Sequence, residues 1–417
     1  MRHPRGGMVG RGGFRSGPYG PPPPVMGIPP PRQQQAHQRK FVVTHQTFDH
    51  VHAESFFPRV AENTDDSSLT QALLKRNQAL TPSVVEQTAV QNLHGKLEMV
   101  IESLILSSDG LNVALEEMRT VGSFKKGTML TGHPVADAVV ILKTIPTAED
   151  IEQLAMKVKE KLVSQDKSEE FPVQANEGGF NVSNSEGALI RCLVTTQPKN
   201  LLRTDPEKHV DVKLLEGALA TIRHARWFEE NAFHTTVRVL VRILKDLRRR
   251  FDGFSGLTPW LIDLLSHRAT MSKNSREPLA INLAFRRVLQ LLSSGIFLPG
   301  SVGIIDPCET GQVRAHSVLS LEEQDGICLT AQTMLRCLSH GAENEILGLN
   351  EQGSLALDND TTSWGGTIVT PGLPAYNKEE HKKQEMAGEG QDDEQKDGDG
   401  GEAAEEGEEV VDDKMET

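Results

Sequence analysis

The 417-residue sequence predicts an α+β protein, with a mixed α/β lobe followed by an all-helical lobe between two tails that do not fold. Three observations carry this reading. The run from Ala136 to Leu142 is short, rich in valine and bounded by turn residues, which marks a buried strand. From Glu216 onward the apolar residues recur at helical spacing in one segment after another. The ends are compositionally extreme: residues 1–40 hold 7 basic and no acidic residues, and residues 378–417 hold 17 acidic and 5 basic. The net charge of −14 is therefore uneven, with +7 at the start, −12 at the end and −9 over residues 41–377.

In order, residues 1–40 combine Arg-Gly-Gly boxes (Arg5, Arg11 and nearby Arg15), a proline run and glutamines, so they cannot bury a core. Such boxes contact RNA through charge and stacking, or serve only solubility. Order is expected from about Phe41. His45, His50 and His52 have no cysteine or carboxylate pattern to support a metal. Ser68 with Gln71 has capping-box spacing and opens a helix. Thr81-Pro82 opens a second, with an apolar stripe through Val90, Leu93, Leu97, Val100, Ile101 and Leu104. After the strand, Thr147 to Leu162 reads as a helix, and Phe180 to Val182 and Ala188 to Thr195 as strands. The alternation His209-Val210-Asp211-Val212-Lys213 reads as one more strand. The second lobe then has helices over Gly217 to Glu230, Thr235 to Phe251, one opening at Thr258-Pro259, Leu279 to Ser293, and one capped by Ser320 with Glu323. The domain division is 1–40 tail, 41–377 folded (about 41–215 and 216–377), and 378–417 tail.

The chemistry centres on Val121 to Leu142. Gly122-Ser123 lets backbone N–H groups and a hydroxyl approach a phosphate. Asp137 is the single carboxylate of the apolar run. A Gly-Ser turn followed by a carboxylate strand resembles the nucleotidyltransferase superfamily. There the strand carries Asp-x-Asp, whose two residues share one side and hold Mg2+ ions with a third carboxylate from a neighbouring strand. Here Val135 takes the first position. Asp211 is the candidate for the third, and a shifted register puts Lys213 there instead. Two readings stay open: a residual pocket of Gly122, Ser123, Asp137 and Asp211 that holds a nucleotide triphosphate with Mg2+ but lacks a ligand for turnover, or an inherited turn and a strand-end carboxylate kept for hydrogen bonding; on either, no cofactor is required.

A second feature is the row Arg238, Arg242, Lys245 and Arg249, which reads as a nucleic-acid contact, a contact to an acidic partner, or, most commonly, a solvated helix face. Pro299-Gly300-Ser301-Val302-Gly303 lacks the Gly-Lys-Ser/Thr ending of a phosphate loop and reads as a turn. The four cysteines show no CxxC, which fits free thiols and no metal site. No apolar run reaches the length of a membrane span, and the start has glycine and proline where a signal peptide needs an apolar segment, so an intracellular protein without a membrane is expected.

Arg223-His224-Ala225-Arg226-Trp227-Phe228, together with Gly122-Ser123-Phe124-Lys125-Lys126-Gly127-Thr128, Leu257-Thr258-Pro259-Trp260 and Phe297-Leu298-Pro299-Gly300-Ser301-Val302-Gly303, resembles the DZF family over about Phe56 to Tyr376. The resemblance implies a nucleotidyltransferase fold without polymerase activity. It also implies a heterodimer with a DZF protein that carries double-stranded RNA-binding domains, through helices after residue 250. RNA and DNA are then met mostly through that partner, in transcription regulation and RNA processing, in the nucleus with some cytoplasmic protein. The alternative is an active template-independent nucleotidyltransferase, against which Val135 stands.

Overall fold

The computed structural model describes residues 48–49, 66–107, 110–271, 277–350 and 357–376. Arg5, Arg11, Arg15, His45, His50, His52 and both tails lie outside the described residues.

The first lobe is built on a five-stranded sheet of β1 (Leu115–Val121), β2 (Val135–Leu142), β3 (Val173–Asn176), β4 (Gly179–Ser183) and β5 (Leu189–Thr196), in the order β1-β2-β5-β4-β3. Only the β2–β5 pair is parallel. Side chains alternate along β2. Ala136, Ala138, Val140 and Leu142 enter the main core of this lobe, beneath helices α2 (Val84–Leu106) and α4 (Ala148–Gln165). Val139 and Ile141 face the other way, against Ala218 and Ala225 of α6 (Val212–Asn231), which follows the one-turn helix α5 (Pro198–Leu201). Asp137 shares that second face, at the end of the strand that α6 leaves open.

The second lobe packs α7 (Thr235–Arg250), α8 (Pro259–Thr270), α9 (Ile281–Ser293) and α10 (Leu321–Ser339) around one apolar core. The helix α1 (Ser67–Leu80) contributes Leu69 and Leu73 to this core, although it precedes the sheet in sequence. Arg76 of α1 donates two hydrogen bonds to Asp246 of α7, at 3.0 and 2.7 Å, which fixes the crossing. The two cores thus do not follow chain order, since α1 precedes the sheet in sequence and packs with the helices that follow it. A short hairpin of β6 (Thr362–Trp364) and β7 (Thr367–Val369), absent from the sequence reading, covers one side.

Several helix starts follow the local signals. Thr147 with Asp150 and Ser320 with Glu323 form complete capping boxes, and Thr258 caps α8 with Pro259 at its first turn. Two helix starts and one strand differ from the expectation. Ser68 lies inside α1, whose cap is Asp66 without a side-chain bond, and the Ser68 hydroxyl donates to Glu343 instead. The second helix is capped by Ser83, not Thr81: its Oγ accepts from the Glu86 N–H, and Glu86 accepts from the Ser83 N–H at 2.7 Å. Residues 205–211 are not a strand. The Asp205 carboxylate accepts the Glu207 N–H and that of Asp211 accepts the Lys213 N–H, so local turns consume the donors a ladder needs. Asp211 caps α6.

Candidate functional site: the cleft between the lobes

The turn after β1 runs into a five-residue helix, α3 (Gly122–Lys126). Gly122 sits at φ +69°, and a Cβ there would fall 2.0 Å from Asp137 Oδ2. Glycine is therefore required twice at this point, once for the left-handed backbone and once for the approach to the carboxylate. Parallel pairing sets Asp137 beside Arg191 of β5. The guanidinium donates to Asp137 Oδ1 from Nε at 2.7 Å and from Nη2 at 2.6 Å.

The opposite wall comes from α7. Lys245 donates to Ser123 Oγ at 2.7 Å and to the Thr128 carbonyl at 3.1 Å. Burial holds its amine well below the usual lysine range, down to about 8, against a smaller opposing pull from Asp263. Arg242 donates to the carbonyls of Gly127 at 2.6 Å and Met129 at 3.3 Å. Arg238 lies along Gly127. The basic row is thus not a solvated face. Two of its members, Arg242 and Lys245, serve backbone carbonyls and hydroxyls in and just after α3, while the Arg238 side chain only packs along Gly127. Arg249 alone of the four is exposed.

A second inter-lobe tie is the ion pair of Lys126 with Asp263 of α8, at 2.6 Å and almost fully buried. Between these ties lie two adjoining cavities of about 470 and 440 Å3, both lined by Ser123, Asp137, Arg191 and Lys245. Arg248 and Arg249 add charge to the first, and His224 and Trp260 form a wall of the second. Cations outnumber the single lining carboxylate of the first cavity, so it favours an anion of small-molecule size.

The structure brings together Gly122, Ser123, Asp137 and Lys245, and leaves Asp211 exposed at the cap of α6, away from the cleft walls. The position paired with Asp137, where a neighbouring strand could supply another carboxylate, holds Arg191. It is the only charged residue of β5, and its role could have been found by aligning the two strands rather than by seeking a third carboxylate in residues 205–215. The donor set does not fit a pair of Mg2+ ions: Val135 offers no ligand, and Arg191 occupies Asp137.

A mixed sheet carrying a Gly-Ser turn and a carboxylate strand, closed by a helical lobe, defines an α+β protein with a cleft between its two cores. The chain belongs to the DZF family: the DZF N-terminal domain matches residues 25–233 and the DZF C-terminal domain residues 236–370. Among solved structures, it is similar to CdnC of E. coli MS115-1 in complex with HORMA-deltaN, at 13% identity over 69% of this chain and 94% of that one, with TM-score 0.47. It is also similar to a cytoplasmic RNA terminal U-transferase, at 11% identity over 67% and 98% of the two chains, with TM-score 0.45. The Cid1 poly(U) polymerase matches at 11% identity over 66% and 95%, with TM-score 0.42.

Proposed function

We propose that this chain is a catalytically inactive nucleotidyltransferase-fold subunit that retains an anion-binding cleft and works by pairing with another DZF protein. The observation that carries the reading is the Asp137–Arg191 pair with Val135 beside it. Activating a hydroxyl between two metal ions needs several converging carboxylates. Here one remains, and a guanidinium neutralises it. The cleft can still hold a triphosphate, with Ser123 and the basic side chains as donors.

The partner is a DZF protein with double-stranded RNA-binding domains, and the complex acts in transcription regulation and RNA processing in the nucleus. Support is of two kinds. Residues 41–377 carry a net charge of −9, which disfavours unaided binding to phosphate backbones. The helical lobe leaves Val318 69% and Ile368 72% exposed, apolar surface that a related domain can cover.

The test is a tailing assay on the full chain with an RNA primer, UTP or ATP, and Mg2+ or Mn2+, run beside co-expression with such a partner. The expected result is no primer extension, and a stable heterodimer that binds double-stranded RNA far more tightly than the chain alone. Template-independent extension abolished by Asp137→Ala would establish the enzyme reading instead.

A further inference from the structure

The sequence gives no reason to seek a metal here, because its cysteines follow no ligand spacing. The fold, however, brings three ligand types from distant segments to one point. His224 lies on α6, which packs against the sheet; Asp306 and Cys308 lie on the loop between α9 and α10 in the helical lobe. One imidazole nitrogen, one carboxylate oxygen and the thiol sulfur all lie within 4.8 Å of one another.

The surroundings of Asp306 point to a cation. The residue is buried, and both oxygens accept hydrogen bonds, yet both donors are neutral: the Trp260 indole N–H at 2.7 Å and the Cys308 backbone N–H at 2.8 Å. No lysine, arginine or histidine pairs with it among the described residues. The nearby cations are engaged elsewhere, Arg223 with Glu309 and Lys126 with Asp263. A buried carboxylate held by neutral donors lacks a countercharge. Trp260 also stacks on the His224 ring, with centroids 3.8 Å apart and planes 8° from parallel, so one side chain orients two candidate ligands. Conserving such an outer support is how metal sites fix ligand geometry. Cys308 is the one cysteine of the four that is not buried.

We propose that His224, Asp306 and Cys308 bind one zinc ion, with water in the fourth position, and that the ion pins the two lobes together beside the cleft. Nitrogen, carboxylate and thiolate donors together suit Zn2+ and disfavour Mg2+ or Ca2+. Ligand atoms around tetrahedral zinc stand about 3.3–3.7 Å apart, so closing the site from its present spacing takes side-chain shifts on the order of 1 Å. Binding converts the Cys308 thiol to thiolate, and its proton passes to solvent. The consequence is mechanical. His224 lies on α6, which meets the sheet through Ala218 and Ala225 and the helical core through Phe228, the 306–308 turn belongs to the helical lobe, and His224 and Trp260 line one cavity of the cleft. The ion therefore fixes the width of that cavity.

The experiment uses the full chain, stripped with a chelator and titrated with Co2+ as the probe. One equivalent is expected to give tetrahedral visible bands and a near-ultraviolet thiolate-to-cobalt band, both removed by added Zn2+. Cys308→Ser should abolish the near-ultraviolet band, and His224→Ala and Asp306→Asn should each weaken binding at least about tenfold. Trp260→Phe, which keeps all three ligands but removes the N–H to Asp306 and part of the ring stacked on His224, should weaken it about tenfold. Metal-free melting of Cys308→Ser should match that of the unaltered protein, and Zn2+ should raise the melting temperature of the unaltered protein alone. The proposal is overturned by the absence of a thiolate band, by a band that persists in Cys308→Ser, or by an affinity that Asp306→Asn and His224→Ala leave unchanged.

Discussion

Replacing Asp263 by alanine isolates one tie between the lobes. Asp263 and Lys126 meet at 2.6 Å with side chains only 2% and 11% exposed, so removal of the carboxylate strands an ammonium in the interior. Breaking a buried pair from one side costs about 3–5 kcal/mol. The ammonium keeps partial compensation, since it lies 5.5 Å from the Phe228 ring centroid and 5.7 Å from that of Trp260. Each such contact contributes about 0.5–2 kcal/mol, which places the loss at the lower end, about 3 kcal/mol. Lys245 also loses a favourable carboxylate, and its amine should fall further below its already lowered range. The assay is urea unfolding followed by tryptophan fluorescence, with Asp263→Leu/Lys126→Met as the control. A methionine between two aromatic rings keeps the volume and removes both charges, so the double variant should return to within about 1 kcal/mol of the unaltered protein. The reasoning fails if Asp263→Ala costs under about 1 kcal/mol, or if the double variant loses as much as the two single changes added.

Further expectations concern the cleft itself. Triphosphate binding, read by thermal shift, should persist in a metal chelator, and Arg191→Ala should weaken it about 10- to 100-fold, the loss of one charged hydrogen bond of about 1.5–3 kcal/mol; strict dependence on Mg2+ would refute the assignment of Arg191. Lys245 titrates near 8 in the folded chain, below its ordinary value of 10.5, so between those limits the unfolded chain binds more protons and folding stability gains with rising pH. Lys245→Met should remove that rise, seen as a flatter profile of unfolding free energy from pH 8 to 10.5. An anion in the cleft restores the proton, so triphosphate binding at pH 8 should take up protons, measured as a buffer-dependent calorimetric enthalpy. Gly122→Ala should cost about 1–2 kcal/mol for its left-handed backbone alone, and more because its Cβ meets Asp137; a melting temperature unchanged by the substitution would contradict the tight turn.

Features governed by neighbours in sequence were readable before the structure. The valine-rich run is β2, and Thr147, Thr258 and Ser320 cap the helices their spacing announces. The carboxylate at Asp137 and the glycine before it could be named because turn and strand adjoin. Local competition explains two errors. Ser83-Val84-Val85-Glu86 is a stronger cap than Thr81-Pro82, because its glutamate also reaches the Gly132 N–H and the Thr131 hydroxyl of the next segment. Asp205 and Asp211 draw their own backbones into turns where valines suggested a strand. What stayed hidden depends on pairing across distance. The register that sets Arg191 against Asp137, the docking of α1 on the far lobe, and the meeting of His224 with Asp306 and Cys308 leave no periodic trace in one chain.

The basic row on α7 joins these observations. A helix face of arginines and lysine usually meets water, and here it meets the end of α3. The reason is that the lobes have opposite needs at their seam. The sheet lobe ends a short helix there with unpaired carbonyls at Gly127 and Thr128, and the helical lobe has long cationic side chains whose stems cover apolar surface on the way. Lys245 answers both needs, closing the seam and setting an amine beside Ser123. Where catalysis draws its positive charge from metal ions, this cleft holds it in side chains that also bind the lobes together. Removing one of them should therefore loosen the seam and weaken anion binding at once, whereas Arg191, which ties two strands within a single lobe, should change binding with little effect on the seam.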